Sequence, residues 1–336
     1  MTETNLQIRL ASRPHGRPDA SNFESVEEPA REPGDGEVLV KTNYLSLDPA
    51  MRGWMTDRKS YIPPVQIGEV MRGLTAGVVV RSGHPDYSPG DRVTGGMGWQ
   101  TYATIAAKEL HKVPPQVPLT LAMGPLGMTG MTAYFGLLDV GQPKEGETVV
   151  VSGAAGAVGS IVGQIAKIKG CHVVGTAGSD DKCEWLKELG FDEAINYKTT
   201  EDLGASLRKA CPKGVDVYFD NVGGETLDAV LALINFRARV SICGAISQYN
   251  ATEPVPGPYN YLSLLINRAR MEGFIVFDYA KRYPEAQAEI GKWIQEGKIQ
   301  AREDIVDGLA NAPEALLRLF DGKNTGKLLI RVAEEG

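Results

Sequence analysis

Cysteine is scarce and confined to one half of the chain: Cys171, Cys183, Cys211 and Cys243 are the only four in 336 residues. Their wide spacing excludes a disulfide framework and the close pairs of a structural zinc site. They read instead as mostly buried free thiols, used as small hydrophobes. His15, His84 and His111 are scattered without ligand spacing, His84 and His111 reading as surface residues of turns, so no metal site is expected. No apolar run approaches the length of a bilayer span, and no low-complexity tract suggests disorder. The formal net charge is −7, with no basic stripe to neutralise a phosphate backbone, which argues against a nucleic-acid partner. A Ser-His-Asp arrangement, a lysine nucleophile signature and a paired-carboxylate motif are all missing; Glu27-Glu28 and Glu334-Glu335 read as solvated pairs. Hydrolase chemistry is therefore set aside. Met1–Arg13 mixes polar residues with two arginines and has no apolar core, so no secretory leader is expected and the cytoplasm is the expected location.

What is present is an ordinary globular composition, 43% hydrophobic and 23% charged, in a chain long enough for about two domains. One segment carries the most information. Val149-Val150-Val151-Ser152-Gly153-Ala154-Ala155-Gly156-Ala157-Val158-Gly159-Ser160 is a short β-branched run that breaks into small residues and then into a helical pattern. A strand ending in such a turn aims the free N–H groups and the positive dipole end of the next helix at one point, where an anion is favoured. Gly156 lets the backbone approach a pyrophosphate and Gly159 lets the helix pack close to the strand. Ala154 stands where G-x-G-x-x-G has its first glycine, so the motif alone also fits a plain tight helix–strand junction.

The surroundings decide between them. His172–Thr176, Glu193–Asn196, Val215–Asp220, Ala238–Ile242 and Met271–Val276 read as strands, alternating with helical windows at Val158–Lys169, Asp180–Leu189, Asp202–Cys211, Gly224–Leu233 and Leu262–Arg270. Parallel strands need crossover helices, so the pattern predicts an α/β domain with a doubly wound parallel sheet, a Rossmann domain spanning 126–296. Residues 1–125 differ in texture. Short β runs follow Pro33-Gly34-Asp35 and Pro89-Gly90-Asp91, turn signals that predict a small antiparallel barrel. Two further helices, Pro284–Gln295 and Pro313–Phe320, precede a closing strand at Gly326–Val332 that has to pair somewhere. Its expected place is the β-rich domain, which would then comprise 1–125 plus 297–336, with the substrate bound in the cleft between domains.

A domain that prefers NAD normally carries Asp or Glu at the end of its second strand, for the ribose 2′-hydroxyl. Here His172–Thr176 runs into Ala177-Gly178-Ser179, with no carboxylate at the tip. Ser179 is placed to cap the next helix, and Asp180 and Asp181 suit its start without any further role. Lys182, the third helical residue, opposes the dipole, which a bound 2′-phosphate explains; a solvated surface lysine is the alternative.

At these residues the chain resembles the zinc-independent medium-chain dehydrogenase/reductase family, in the branch of leukotriene B4 dehydrogenase/prostaglandin reductases, plant double-bond reductases and bacterial curcumin reductases, the last in particular. The likeness runs along nearly the whole chain, in Leu10-Ala11-Ser12-Arg13-Pro14-His15-Gly16, Tyr44-Leu45-Ser46-Leu47-Asp48-Pro49, Gly163-Gln164-Ile165-Ala166-Lys167, Asp220-Asn221-Val222-Gly223-Gly224 and Gly322-Lys323-Asn324-Thr325-Gly326-Lys327. The resemblance implies that the Rossmann domain is inserted into a GroES-like barrel domain, and that the cofactor is NADPH. It implies that Gly156, Ala157, Val158, Gly159 and Ser160 hold the pyrophosphate and that Lys182 and Tyr197 grip the 2′-phosphate. It also implies that Asn221, Cys243, Gly244, Ala245, Ile246, Ser247, Phe274, Ile275, Val276 and Asn324 line the ribose and nicotinamide, and that the protein is a homodimer. Read without it, Asn221 and Asn324 are equally turn residues and Phe274–Val276 a plain core strand. Tyr249, in Ser247-Gln248-Tyr249-Asn250, is the expected catalytic residue, as hydrogen-bond donor or proton source; a packing role is the alternative. One departure stands out: relatives carry Asp-Pro-Tyr-Met-Arg where this chain has Asp48-Pro49-Ala50-Met51-Arg52. The change reads either as a wider substrate pocket or as neutral packing.

Without a Lewis acid, direct hydride exchange with an alcohol or ketone is harder. Reducing the C=C bond of a conjugated carbonyl avoids that difficulty, because hydrogen-bond donors suffice to stabilise the developing enolate. The expected activity is NADPH-dependent reduction of α,β-unsaturated carbonyl compounds, with a small conjugated carbonyl as substrate. Quinone reduction on the same fold and a catalytically silent NADPH-binding regulator remain as alternatives.

Overall fold

The computed structural model describes residues 3–335; Met1 and Thr2, the first two residues of the leader reading, and Gly336, where the expected domain bounds end, lie outside the described residues. The chain divides into two compact units, Met1–Met123 with Glu303–Gly336, and Gly124–Arg302.

The first unit opens with an antiparallel pair, β1 (Thr4–Leu10) on β2 (Phe23–Pro29). It continues through β3 (Glu37–Ser46), β4 (Thr75–Ser82), β5 (Arg92–Gly95), β6 (Tyr102–Ala106) and β7 (Leu110–Lys112), each antiparallel to its neighbour. Gly90 has φ of +94°, the conformation its Pro-Gly-Asp turn needs. His111 stands exposed within β7, a correction to its reading as a turn residue; β5 pairs with it there.

The second unit carries β8 (Thr148–Val151), β9 (His172–Ala177), β10 (Glu193–Asn196), β11 (Val215–Asp220), β12 (Ile234–Ile242) and β13 (Arg270–Gly273). All pair in parallel, in the order β10-β9-β8-β11-β12-β13. Both faces of the sheet are covered. Val149 and Val151 pack with Ile161 and Ile165 of helix Gly159–Ile168, while Val150 packs on the other side with Leu207 and Leu227. Each such side chain contributes about 1.5–3 kcal/mol relative to exposure, which explains the unbroken valine run. β8 lies where the strand order reverses, the place at which such sheets bind ligands.

The chain then returns to the first unit as β14 (Glu303–Asp307) and β15 (Lys327–Arg331), with β15 antiparallel to β3 through Leu329 and Ser46. There the buried Lys327 Nζ donates to Asp48 Oδ1 at 2.7 Å and to Ser46 Oγ. The second unit extends to Arg302 rather than 296 because the chain past helix Tyr283–Gln295 is still fastened to it. Ile299 is buried in its core, and Gln164 bonds both backbone groups of Gln300, at 2.8 and 2.9 Å. Two departures concern elements. The expected strand Met271–Val276 ends at Gly273, because Phe274 turns its ring onto Gly136 and Phe219. Helix Met128–Phe135 escapes sequence reading: Gly130 and its two threonines are weak helix formers, and Gly130 is there because a Cβ would strike the Pro125 carbonyl.

Candidate active site

The carboxyl ends of β8, β9, β11 and β12 bring most of the expected site residues together. After β8 the chain turns at Gly153, φ +57°, and enters helix Gly159–Ile168 through Val158, which offers no side-chain cap. The Ser160 and Ile161 N–H groups already bond the Gly156 and Val158 carbonyls, at 3.0 and 3.1 Å, so a ligand here would meet the N–H groups of the turn just before them. A Cβ on Gly159 would lie 2.5 Å from the Gly153 carbonyl oxygen and 2.8 Å from Ala154 Cα, so no other residue allows this approach. A Cβ on Gly156 would lie 3.1 Å from that same oxygen. Ala154 causes no loss at the position of the missing glycine, since its own Cβ is buried against Gly175, where another side chain would be 2.9 Å away. Gly156, Ala157, Val158, Gly159 and Ser160 therefore form a small-residue cradle of the shape a pyrophosphate needs.

At the tip of β9, which carries no carboxylate, a Cβ on Gly178 would lie 3.0 Å from the Tyr197 hydroxyl and 3.2 Å from Lys198 Cε, so both side chains stand beside this position. Tyr197 is held beside the tip by its N–H on the Ala177 carbonyl, 3.1 Å, and burial of its inner side raises the phenol above its ordinary value, so it stays a donor. Ser179 caps helix Asp180–Glu188, accepting the Lys182 N–H at 3.4 Å. Asp180 is engaged by Asn196, 2.7 Å, as its helix-start reading allows. One cation close to the tip, Lys198, escaped the sequence reading; its place directly after Tyr197 was the available signal.

The third part is a hydrogen-bonded rim between β11 and β12. Asn221 donates its N–H to Ser152 Oγ, 2.9 Å, and its Nδ2 to the Ser152 carbonyl, 2.7 Å. The N–H groups of Cys243 and Gly244 both reach the Asp220 carbonyl, and that of Ile246 reaches the Asn221 carbonyl. Ser247 Oγ donates to the Val222 carbonyl at 2.6 Å. Tyr249 folds back over this turn, its hydroxyl accepting the Ala245 N–H at 3.2 Å, and Gly244 is required because a Cβ there would be 2.8 Å from that oxygen. Burial, with the Asp220 charge nearby, pushes the Cys243 thiol up to about 12, which removes it as a nucleophile. Ser152 and Asp220 tie the rim together, and the one signal of this in the sequence is that Asp220 opens the Asp-Asn-Val-Gly-Gly motif.

Phe274, Ile275 and Val276 are half-buried outside any strand, and the Val276 carbonyl accepts the Tyr283 hydroxyl at 3.0 Å. Asn324 belongs to the first unit, in the loop before β15, with its Nδ2 on the Gly326 carbonyl at 3.2 Å. Ala50, also in that unit, directly precedes the short helix Met51–Trp54. Among the described residues no three His, Cys, Asp or Glu side chains are grouped to hold a metal ion.

Two family descriptions match this chain: "N-terminal domain of oxidoreductase" over residues 6–113 and "Zinc-binding dehydrogenase" over residues 157–292. The zinc of the second description does not fit the side chains present. The chain is 53% identical to an NADPH-dependent curcumin reductase of Escherichia coli, covering 98% of each chain. It is 44% identical to a 2-alkenal reductase (NADP(+)-dependent) of Nicotiana tabacum, covering 99% of this chain and 98% of that one. A crystal structure of CurA from Vibrio vulnificus in complex with NADPH superimposes with a TM-score of 0.94 at 48% identity, over 98% of this chain and 100% of that chain.

Proposed function

Because the chain belongs to the zinc-independent medium-chain dehydrogenase/reductases, in the branch close to the curcumin reductases, we propose that it works as its relatives' names describe, with the three strand-end clusters above as its site. The chain is an NADP-dependent oxidoreductase, with NADPH as cofactor, that reduces the C=C bond of α,β-unsaturated carbonyl compounds. The observation that supports the cofactor assignment within the chain is the tip of β9, where Ala177-Gly178-Ser179 carries no carboxylate and Tyr197 and Lys198 lie beside Gly178.

NADPH, when bound, supplies a hydride to the β-carbon of the conjugated substrate. In our reading the small-residue turn 156–160 receives its pyrophosphate on backbone N–H groups, and Lys182 and Tyr197 bond its 2′-phosphate. Asn221, Cys243, Gly244, Ala245, Ile246 and Ser247, with Phe274, Ile275 and Val276, hold the nicotinamide ribose and ring, and Asn324 contributes from the first unit. Tyr249 donates a hydrogen bond toward the oxygen on which enolate charge develops; accepting the Ala245 N–H strengthens that donation. The second unit is accordingly the dinucleotide-binding one and the first the substrate one.

The same reading makes the protein a cytoplasmic homodimer. No helix among the described residues is long and apolar enough to cross a membrane. β13 is an edge strand with four exposed residues, and Phe236, Leu265, Ile266 and Met271 are exposed on β12, helix Leu262–Asn267 and β13. Such an edge calls for a partner strand, and antiparallel pairing of two copies about Met271 sets Arg270 opposite Glu272.

Steady-state oxidation of NADPH with 2-alkenals, curcumin-like enones and 1,4-quinones tests the activity. Turnover of the enones is expected. Turnover of quinones alone would replace the reading with quinone reduction, and tight NADPH binding without turnover of any acceptor would make the protein a silent binder.

A further inference from the structure

Asp220, which the mechanism above does not use, is the least explained charged group of the second unit. It is 1% exposed at the end of β11. Four donors converge on one oxygen: Oδ1 accepts Ser152 Oγ at 2.9 Å, the Tyr218 hydroxyl at 2.7 Å, and the N–H groups of Val222 and Gly223, each at 2.9 Å. Its other oxygen, Oδ2, is buried with no hydrogen-bond partner. No Lys, Arg or His pairs with the carboxylate among the described residues. Four donors on Oδ1 solvate a negative charge, yet a buried carboxylate oxygen with nothing to bond is costly, and a purely structural peg needs neither the charge nor the second oxygen. Neutral asparagine would accept the same bonds on one oxygen.

We propose that Asp220 is an electrostatic positioning residue for the cofactor: its uncompensated buried charge favours the cationic, oxidised nicotinamide over the neutral, reduced one, and so makes the bound cofactor a stronger hydride donor. This rests on the assignment of the nicotinamide end to the rim. Asn221 follows Asp220 directly, Cys243 and Gly244 both bond its carbonyl, and Val222 and Gly223 bond its side chain, so Asp220 ties together the start of both rim segments. Giving up a hydride removes two electrons and a proton from the dihydronicotinamide ring and leaves one positive charge there; an anion nearby in a dry surrounding stabilises that product selectively.

The test measures dissociation constants for NADP+ and NADPH separately, by calorimetry, in the wild type and in Asp220→Asn. NADP+ binding is expected to weaken by about tenfold more than NADPH binding, equivalent to two point charges about a nanometre apart in a partly screened surrounding. Tyr218→Phe, which removes one bond but no charge, is expected to change both affinities alike. Equal effects of Asp220→Asn on the two forms would overturn the proposal. Should Asp220→Asn fail to fold, Asp220→Ser, which also removes the charge, is measured in its place: the same loss selective for NADP+ is expected, and equal effects on the two forms overturn the proposal. Asn221→Ala separates the two levels. If it leaves both affinities at wild-type values, the nicotinamide is not at the rim and the site assignment fails; if it weakens them while Asp220→Asn acts equally on both forms, only the electrostatic role fails.

Discussion

The two ends of the candidate cofactor site are built by opposite means. At the turn after β8 the shape comes from what is missing: Gly156 and Gly159 leave the backbone bare, and a Cβ at Gly159 would strike main-chain atoms that cannot yield. At the rim between β11 and β12 the shape comes from what is present, a set of hydrogen bonds centred on Asp220 and Ser152. An end built by exclusion tolerates almost no added atom, whereas one built from bonds loses function in steps as bonds are removed. In the proposed assignment the first end would fix where the cofactor sits, and the second would tune what it does.

The comparison is broken most severely at the turn. Gly159→Val should abolish measurable NADPH binding by fluorescence titration and destabilise the second unit by about 1–3 kcal/mol, as overpacking does; a variant that binds normally would show that the helix does not need this approach. Lys182→Ala should raise the KM for NADPH by tens-fold, the loss of about 2 kcal/mol of charge-assisted bonding, and leave that for NADH nearly unchanged. Equal changes for both coenzymes would remove the lysine from the 2′-phosphate. Tyr249→Phe tests the other end more gently: kcat for an enone should fall by about tenfold or more, with a much smaller change in the KM for NADPH, since the donor to the developing charge is lost together with the acceptor of the Ala245 N–H. An unchanged kcat would reduce Tyr249 to a packing residue.

The smallest effect is on stability, away from both ends. Glu147 pairs with Arg239 and so links the entry of β8 to β12. Burial raises its pKa, but the Arg239 hydrogen bonds and the Lys144 N–H outweigh that and hold the carboxyl below its ordinary 4.5. A depressed folded-state value means stability that is present above about pH 4.5 and is lost as the pH falls through the lower, folded value. Glu147→Gln should therefore lower Tm by about 2 °C at pH 7 and by progressively less as the pH falls below about 4.5. A difference independent of pH would assign the effect to shape rather than charge.

Much of this architecture is legible in the sequence because burial enforces it. Val149–Val151 needs both faces covered, and Ala177-Gly178-Ser179 announces a strand tip without a carboxylate. The doubly wound parallel sheet and the small-residue turn follow from such local patterns, whereas the strand order does not. What is not legible depends on contacts between segments distant in the chain. Phe274 leaves its strand only because Gly136 and Phe219 receive its ring. Asp220 reads as one more polar residue at a strand end until Ser152, 68 positions away, is seen on its carboxylate. Gln164 lies in a recognisable motif, yet nothing local says that it fastens Gln300. Periodicity reports which face is buried and is silent about which polar atoms meet.

The most direct test is a crystal structure of the protein with NADP+. The account predicts the pyrophosphate on the backbone of residues 156–160, the 2′-phosphate bonded by Lys182 and Tyr197, and the nicotinamide ring at the rim of Asn221, Cys243 and Gly244. A dinucleotide bound with its adenosine 2′-phosphate away from Lys182, or with the turn after β8 left empty, would contradict it.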